Sequence, residues 1–324
     1  VPKALLSGAA GFIGACCAEH LLKEGWQVVG LDDLNPYYDP RLKLWRLQRL
    51  RAYRGFSFHQ VDISDPRALA KVLRGRGGFD AVFHLAARAG VRASIKQPEA
   101  FARSNFLGTL QLLELAARRK VGKFILASTS SAYGAGAKTP FTEGQCADRP
   151  LSPYGATKRA AELLGYAYHH LYGMDMVVLR YFTVYGPAGR PDMSYFRFMK
   201  QILRGRAITV YGDGTQRRDF TYIEDVVRGT VAALDLRGYH VLNLGSDRPV
   251  PLRHLIALIE QALGRKARIR YAPRHPADAP ATWASIQEAK RLLRWRPQVP
   301  LQEGIGLTAQ WFLKERALVE SLRD

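Results

Sequence analysis

The sequence predicts an α/β fold, a doubly wound parallel sheet with a smaller C-terminal lobe. Three observations predict it. Short apolar runs alternate with helix-like segments through the first half of the chain. A glycine-rich turn, Gly8-Ala9-Ala10-Gly11-Phe12-Ile13-Gly14, follows the first of these runs and opens a helix. After about Thr183 the alternation loosens and Gly and Pro become frequent.

The strand candidates come in order. Ala4-Leu5-Leu6, Val28-Val29-Gly30-Leu31, Ala81 to Leu85, Phe124 to Ala127 and Met176 to Leu179 are short and almost wholly apolar. Strands covered on both faces of a parallel sheet have this composition. Helical patterns lie between them at Ala15 to Lys23, Pro66 to Leu73, Phe101 to Arg118 and Pro153 to Leu171. Such alternation is the signature of βαβ units. Val241 to Leu244 should return to the main sheet, and short helices are expected at Leu252 to Leu263 and Ile286 to Leu293. These patterns divide the chain into a nucleotide-binding domain over 1–182, joined by 219–247, and a lobe over 183–324.

The 324 residues hold 48 Lys and Arg against 28 Asp and Glu, a net charge of +20. A basic surface attracts polyanions, but the cations are scattered, so nucleic acid is not the expected partner. The dense stretch 41–54 reads as an amphipathic surface helix, with Leu42, Trp45 or Leu44, and Leu47 on one side and Arg on the other; the alternative is a polyanion-binding patch. No run of about 18 apolar residues occurs, so no membrane span is expected. With three cysteines (Cys16, Cys17, Cys146) and no room for a signal peptide before the first strand, the chain reads as cytoplasmic.

The glycine turn carries the first chemistry. Gly8 permits the turn, Gly11 lets the backbone approach a pyrophosphate, and Gly14 lets the helix pack on the strand. The pyrophosphate then rests on the helix N-terminus, beside Phe12 and Ile13. A second strand ends at Asp32, where a carboxylate can accept from the ribose hydroxyls. With Asp33 it also repels the phosphate of NADP, so NAD is the expected cofactor. Asp62 and Ile63 are placed to meet the adenine; the alternative for Asp62 is a helix cap before Pro66.

The second centre is Ser152-Pro153-Tyr154-Gly155-Ala156-Thr157-Lys158. Ser152 can cap a helix that Pro153 begins. Tyr154 and Lys158 then share one face, and a nearby ammonium favours the phenolate of a tyrosine whose free pKa is about 10. Ser128-Thr129-Ser130-Ser131-Ala132-Tyr133-Gly134 follows a buried strand, and the carboxyl ends of parallel strands are where such sheets bind ligands.

With these marks the chain resembles the extended short-chain dehydrogenases/reductases over nearly its whole length. The matching features are the glycines at 8, 11 and 14, Asp32, His84-Leu85-Ala86-Ala87, Asn105, the Ser/Thr cluster, and Tyr154 with Lys158. The resemblance implies a Rossmann-type fold with Thr129, Tyr154 and Lys158 as the catalytic set. It also implies NAD as cofactor, with Ala86 and Ala87 beside the nicotinamide and Asn105 bracing the site. Longer strings are similar to the UDP-glucuronate 4-epimerase family: Leu31 to Asp39, Ala86 to Arg92, and Arg180 to Met193. UDP-glucose 4-epimerases usually carry Asn where Thr183 stands, and UDP-glucuronate decarboxylases a Glu where Ser131 stands. The resemblance thus implies a UDP-hexuronic acid substrate. It places Arg92 on the substrate side, Val210 beside the uracil, Arg218 on the diphosphate, and Asp278 in the C-terminal nucleotide segment, where Arg274 or His275 reaches the nucleotide. Arg190, Thr183, Thr129, Ser130 and Ser131 would clamp the sugar carboxylate. Helices near 101–118 and 153–171 resemble the family's dimerising pair, so a homodimer is expected. The alternatives are another NAD-dependent UDP-sugar epimerase or decarboxylase, and an NAD-sensing or RNA-binding protein on the same fold. No metal is expected.

Overall fold

A computed structural model describes residues 1–274, 279 and 281–323. Strands β1 (Lys3–Ser7), β2 (Gln27–Asp32), β3 (Phe56–Gln60), β4 (Ala81–His84), β5 (Lys123–Thr129) and β6 (Asp175–Tyr181) join the later strand Tyr239–Leu244 in one sheet. The order across it is Tyr239–Leu244, β6, β5, β4, β1, β2, β3, and every pairing is parallel. From β1 the chain winds outward to β3, then returns to the other side of β1 and winds to β6. The crevice at this reversal, between the carboxyl ends of β1 and β4, is where sheets of this kind bind ligands.

The apolar runs are strands because both sheet faces are covered. Every residue of β5 is buried, as are all four of β4. The return of Val241 to Leu244 is observed, with Val241 opposite Val178 and Leu244 opposite Tyr181. Beyond Thr183 two small parallel pairs form: Thr183–Tyr185 with Phe220–Tyr222, and Ile208–Tyr211 with Ile269–Ala272. Helices Leu252–Leu263 and Gln287–Leu293 lie where short helices were expected, the second starting one residue later.

Two expectations need correction. The helix over 101–118 is not uniform. It runs as Pro98–Phe101, a π-helical turn Ala102–Leu107, and an α-helix Gly108–Arg118. The wider turn carries the fully buried Asn105; π-turns are frequent at functional sites. The basic stretch forms helix Pro40–Leu50, but not all of its cations face water. Arg46 is buried and donates to the carbonyls of Ala10, Ala188 and Gly189. Lys43 is buried against Asp32 at 3.2 Å. Leu44 is exposed, while Leu42 and Leu47 are buried as expected. Among the described residues no helix is long and apolar enough to cross a membrane, and no cluster of three or more His, Cys, Asp or Glu could hold a metal.

Asn243, in the returning strand, fastens the C-terminal segment to the sheet. It is fully buried, accepts from the Tyr133 hydroxyl at 2.7 Å, and donates to the carbonyls of Phe141 and Ser285. Asn243→Leu strands all three groups. Urea unfolding should show a loss of about 2–4 kcal/mol, because an unmet buried polar group costs about 1–3 kcal/mol. A loss under about 1 kcal/mol would show that the three groups find other partners.

Candidate functional site

The glycine turn is shaped as the spacing requires. Gly8 has φ +78°, and a Cβ there would stand 2.7 Å from the Ala86 nitrogen. A Cβ at Gly14 would stand 2.0 Å from the Gly8 carbonyl oxygen. The turn therefore passes so close to the β4 loop and to its own helix that no other residue fits. Helix Phe12–Lys23 begins with Gly11 at its cap and no side chain on its first N–H groups. Those donors face a cleft lined by Gly8, Gly11 to Gly14, Asp32, Leu85 to Ala89 and Tyr154, an arrangement suited to a diphosphate.

Asp32 closes the far end of the cleft. Its carboxylate accepts from the backbone of Ala10 and Leu34 and from Lys43. Asp62 lines the cleft but is not the helix cap; Asp65 is, accepting from Arg67 and Ala68. Asp62 instead accepts from Ser64 and pairs with Arg103 at 3.2 Å. Ile63 is buried beside it.

At the other end stand Thr129, Tyr154 and Lys158. Ser152 caps helix Pro153–Tyr172 by accepting from Gly155, with Pro153 in the first turn. A Cβ at Gly155 would lie 2.5 Å from the Ser131 carbonyl oxygen, so the helix presses directly on the Ser/Thr turn. That approach sets the Tyr154 phenol beside the Thr129 hydroxyl. Burial pushes the phenol's pKa up; the Thr129 hydroxyl and the Arg190 charge pull it down, and Asp192 pushes it up again. Burial lowers the Lys158 ammonium to about 8, against the opposing pull of Glu162. The Lys158 Nζ is buried, lines the cleft, and has no hydrogen-bond partner. A buried ammonium needs acceptors, and the ribose of a dinucleotide lying from the glycine turn to Tyr154 offers two hydroxyls. The chain's own geometry thus fits NAD.

Two networks hold these groups; the sequence reading gave Asn105 a bracing role and none to Ser7, Thr109 or Glu162. In the first, Thr109 Oγ1 donates to the Asn105 carbonyl, so it must accept from His84 Nε2 at 2.8 Å. His84 Nδ1 is then the acceptor for Ser7 Oγ at 2.7 Å. Ser7 Oγ in turn accepts from Ala86 N. Burial, and secondarily Lys158, holds the imidazole pKa well down, so the ring is neutral. Asn105 spends its amide on both backbone groups of Arg88 and on Thr157. It therefore braces the β4 loop and does not line the cleft. In the second network Glu162, one turn along the helix from Lys158, accepts from Ser128, Arg180 and Arg159.

Other anticipated residues are distributed more widely. Arg190 lines the cleft near Tyr154. Ser130 and Ser131 form the half-buried turn after Thr129, and Thr183 is half-buried in the strand that leaves β6. Arg92 does not line this cleft; its guanidinium stacks on Tyr211, 3.9 Å from the ring centroid, one residue from the buried Val210. Arg218 pairs in register with Val250, and Arg274 is exposed. His275 and Asp278 lie outside the described residues. Lys43 is among the cleft residues the sequence reading missed, as are Tyr37, Tyr38 and Met193; with Arg46, Leu47 and Leu50 it makes an i, i+3, i+4, i+7 face.

Comparison with known proteins fits this geometry. Residues 4–245 match the model of the NAD dependent epimerase/dehydratase family. A UDP-glucuronate 4-epimerase of Thermodesulfobacterium geofontis is 51% identical over 320 residues, covering 98% of each chain. The structure of the Bacillus cereus UDP-glucuronic acid 4-epimerase in complex with UDP-glucuronic acid and NAD superimposes with a TM-score of 0.90. It is 39% identical, and the match covers 96% of this chain and 99% of that one. The UDP-glucose 4-epimerase of Thermotoga maritima with UDP-glucose has a TM-score of 0.89 at 32% identity, covering 97% and 99%.

The unpartnered Lys158 gives a test free of turnover. Its folded value, about 8, lies below the ordinary 10.5. Below pH 8 both folded and unfolded chains carry the proton, and burial of the charge costs stability. Between about 8 and 10.5 only the unfolded chain keeps it, so this cost fades as pH rises. Lys158→Met should raise the melting temperature of the NAD-free protein at pH 7, and the gain should shrink toward pH 10.5. A variant melting below its parent at pH 7 would contradict the buried, unpaired charge.

Proposed function

The chain belongs to the NAD dependent epimerase/dehydratase family, and on that premise we propose that it interconverts UDP-glucuronate and UDP-galacturonate. The observation that carries the reading is the Thr129–Tyr154–Lys158 set at one end of the cleft that the glycine turn also lines, with Arg190 near Tyr154. Bound NAD supplies a reversible hydride acceptor for C4 of the sugar. Gly8, Gly11 and Gly14 with the N–H groups of Phe12 and Ile13 hold its pyrophosphate, and Asp32 its ribose. Asp62 and Ile63 face the adenine, and Ala86 and Ala87 the nicotinamide, with Asn105 fixing the loop that bears them.

Tyr154 removes the C4 hydroxyl proton. Burial raises its pKa; a positively charged nicotinamide beside the phenol would bring it down. Thr129 donates to the developing phenolate and holds it on the reacting oxygen. Returning the hydride to the opposite face of C4 inverts the centre, so the sugar must turn in the site. The 4-keto sugar carries its carboxylate β to the ketone and loses CO₂ readily when that bond lines up with the carbonyl π system. Arg190, Thr183, Thr129, Ser130 and Ser131 form the clamp that prevents this alignment. Arg92 with Val210, Arg218 and Asp278 takes the uridine diphosphate. The same reading includes the division at residues 182/183 with 219–247 returning, a cytoplasmic setting, and a homodimer. For the homodimer, Leu163, Tyr166 and Leu171 on the Tyr154 helix and Leu107 beside it are exposed apolar groups.

Purified protein given UDP-glucuronate without added NAD should form UDP-galacturonate; an absolute need for stoichiometric NAD(P)H would overturn the reading. Tyr154→Phe should lower kcat by about 10²–10⁴, the usual scale for losing a general base, with UDP-sugar affinity nearly unchanged. Activity within about threefold of the parent would remove Tyr154 from this role.

A further inference from the structure

Arg190 does not meet the cleft as a free cation. Its Nε donates to Asp192 Oδ1 at 3.0 Å, and its Nη2 to Asp192 Oδ2 at 2.5 Å. Nη2 also donates to the Ala89 carbonyl at 2.8 Å. One whole edge of the guanidinium is therefore taken by an internal carboxylate, and only Nη1 carries none of these bonds. Asp192 itself keeps a third of its side-chain surface exposed, so it is not sealed behind the arginine.

This matters for a sugar that must be gripped and then turned. A free guanidinium offers a carboxylate two parallel bonds on its Nε/Nη2 edge, the strongest and most directional arrangement available. Asp192 occupies that edge and brings a second negative charge to the same group. A substrate carboxylate then meets Arg190 through Nη1 alone, beside a like charge, and is held more loosely. Resting on the epimerase reading above, we propose that Asp192 is a positioning residue that blocks the bidentate edge of Arg190, setting a grip loose enough for the keto sugar to turn.

Two opposed effects decide the sign of its removal. Asp192 orders Arg190, which favours binding; it also neutralises Arg190, which disfavours an anion. The ordering has substitutes: the Ala89 carbonyl still accepts from Nη2, and an Asn side chain still offers one acceptor. The charge has none. Removing the charge should therefore strengthen carboxylate binding.

The experiment measures Asp192→Asn and Asp192→Glu against the parent. Calorimetry reads binding of UDP-glucuronate and of UDP-glucose, and initial rates read kcat and KM for UDP-glucuronate. Asp192→Asn should bind UDP-glucuronate about tenfold more tightly, a scale set by one charge–charge contact at a partly exposed site. UDP-glucose binding should move less than twofold. kcat should fall together with KM, since a tighter ground state resists turning, and Asp192→Glu should restore parental values. Weaker UDP-glucuronate binding by Asp192→Asn, or equal changes for both sugars, would overturn the proposal and leave Asp192 a scaffold residue. Selective tightening without UDP-galacturonate formation by the parent would instead uphold the Asp192 assignment and sink the epimerase reading.

Discussion

The buried ammonium of Lys158 is the constraint around which the site is arranged. Its Nζ lies in the protein interior with no hydrogen-bond partner, a condition that costs stability until a ligand supplies acceptors. Glu162, four residues along the same helix, moderates the charge but spends its oxygens on Ser128, Arg180 and Arg159. The ammonium therefore keeps its donors for the cleft it lines. A protein with no use for that charge would pack a methionine there.

The rest of the fold places that charge. Parallel strands bring the Ser/Thr turn, the β4 loop and the glycine turn to one sheet edge, and the reversal of strand order at β1 opens the crevice between them. Glycine allows approaches that a side chain would forbid: Gly8 on Ala86, Gly14 on Gly8, Gly155 on Ser131. The last of these sets the distance between Thr129 and Tyr154. His84, neutral and bonded at both nitrogens, ties Ser7 at the end of β1 to Thr109 and so to the π-turn that carries Asn105. The geometry of the site is held here by buried bonds among residues that do not line the cleft.

How much was legible follows from what each signal depends on. The sheet was readable because strands buried on both faces must be apolar throughout, and Tyr154 and Lys158 because helical spacing places them on one face. The glycine turn was readable because Gly11 and Gly14 are both fixed by contact with the Gly8 carbonyl, within seven residues. The inward cations of helix Pro40–Leu50 were not. Arg46 is internal because three carbonyls from distant segments converge on it, and Lys43 because Asp32 does. Apolar periodicity treats both as solvent-facing. The π-turn was hidden for a similar reason, since one extra residue in a helix leaves composition unchanged. The Arg190–Asp192 pair was visible as two neighbouring letters, but the edge of the guanidinium it occupies is a property of three-dimensional geometry alone.

The central claim is that one cofactor molecule, held throughout, takes and returns the same hydrogen at C4. UDP-glucuronate labelled with deuterium at C4 tests it most directly, incubated in ordinary water with the purified protein and no added NAD. Mass spectrometry and proton NMR of the product should show UDP-galacturonate with the deuterium still at C4. UDP-galacturonate that has exchanged its label for solvent hydrogen would contradict the claim.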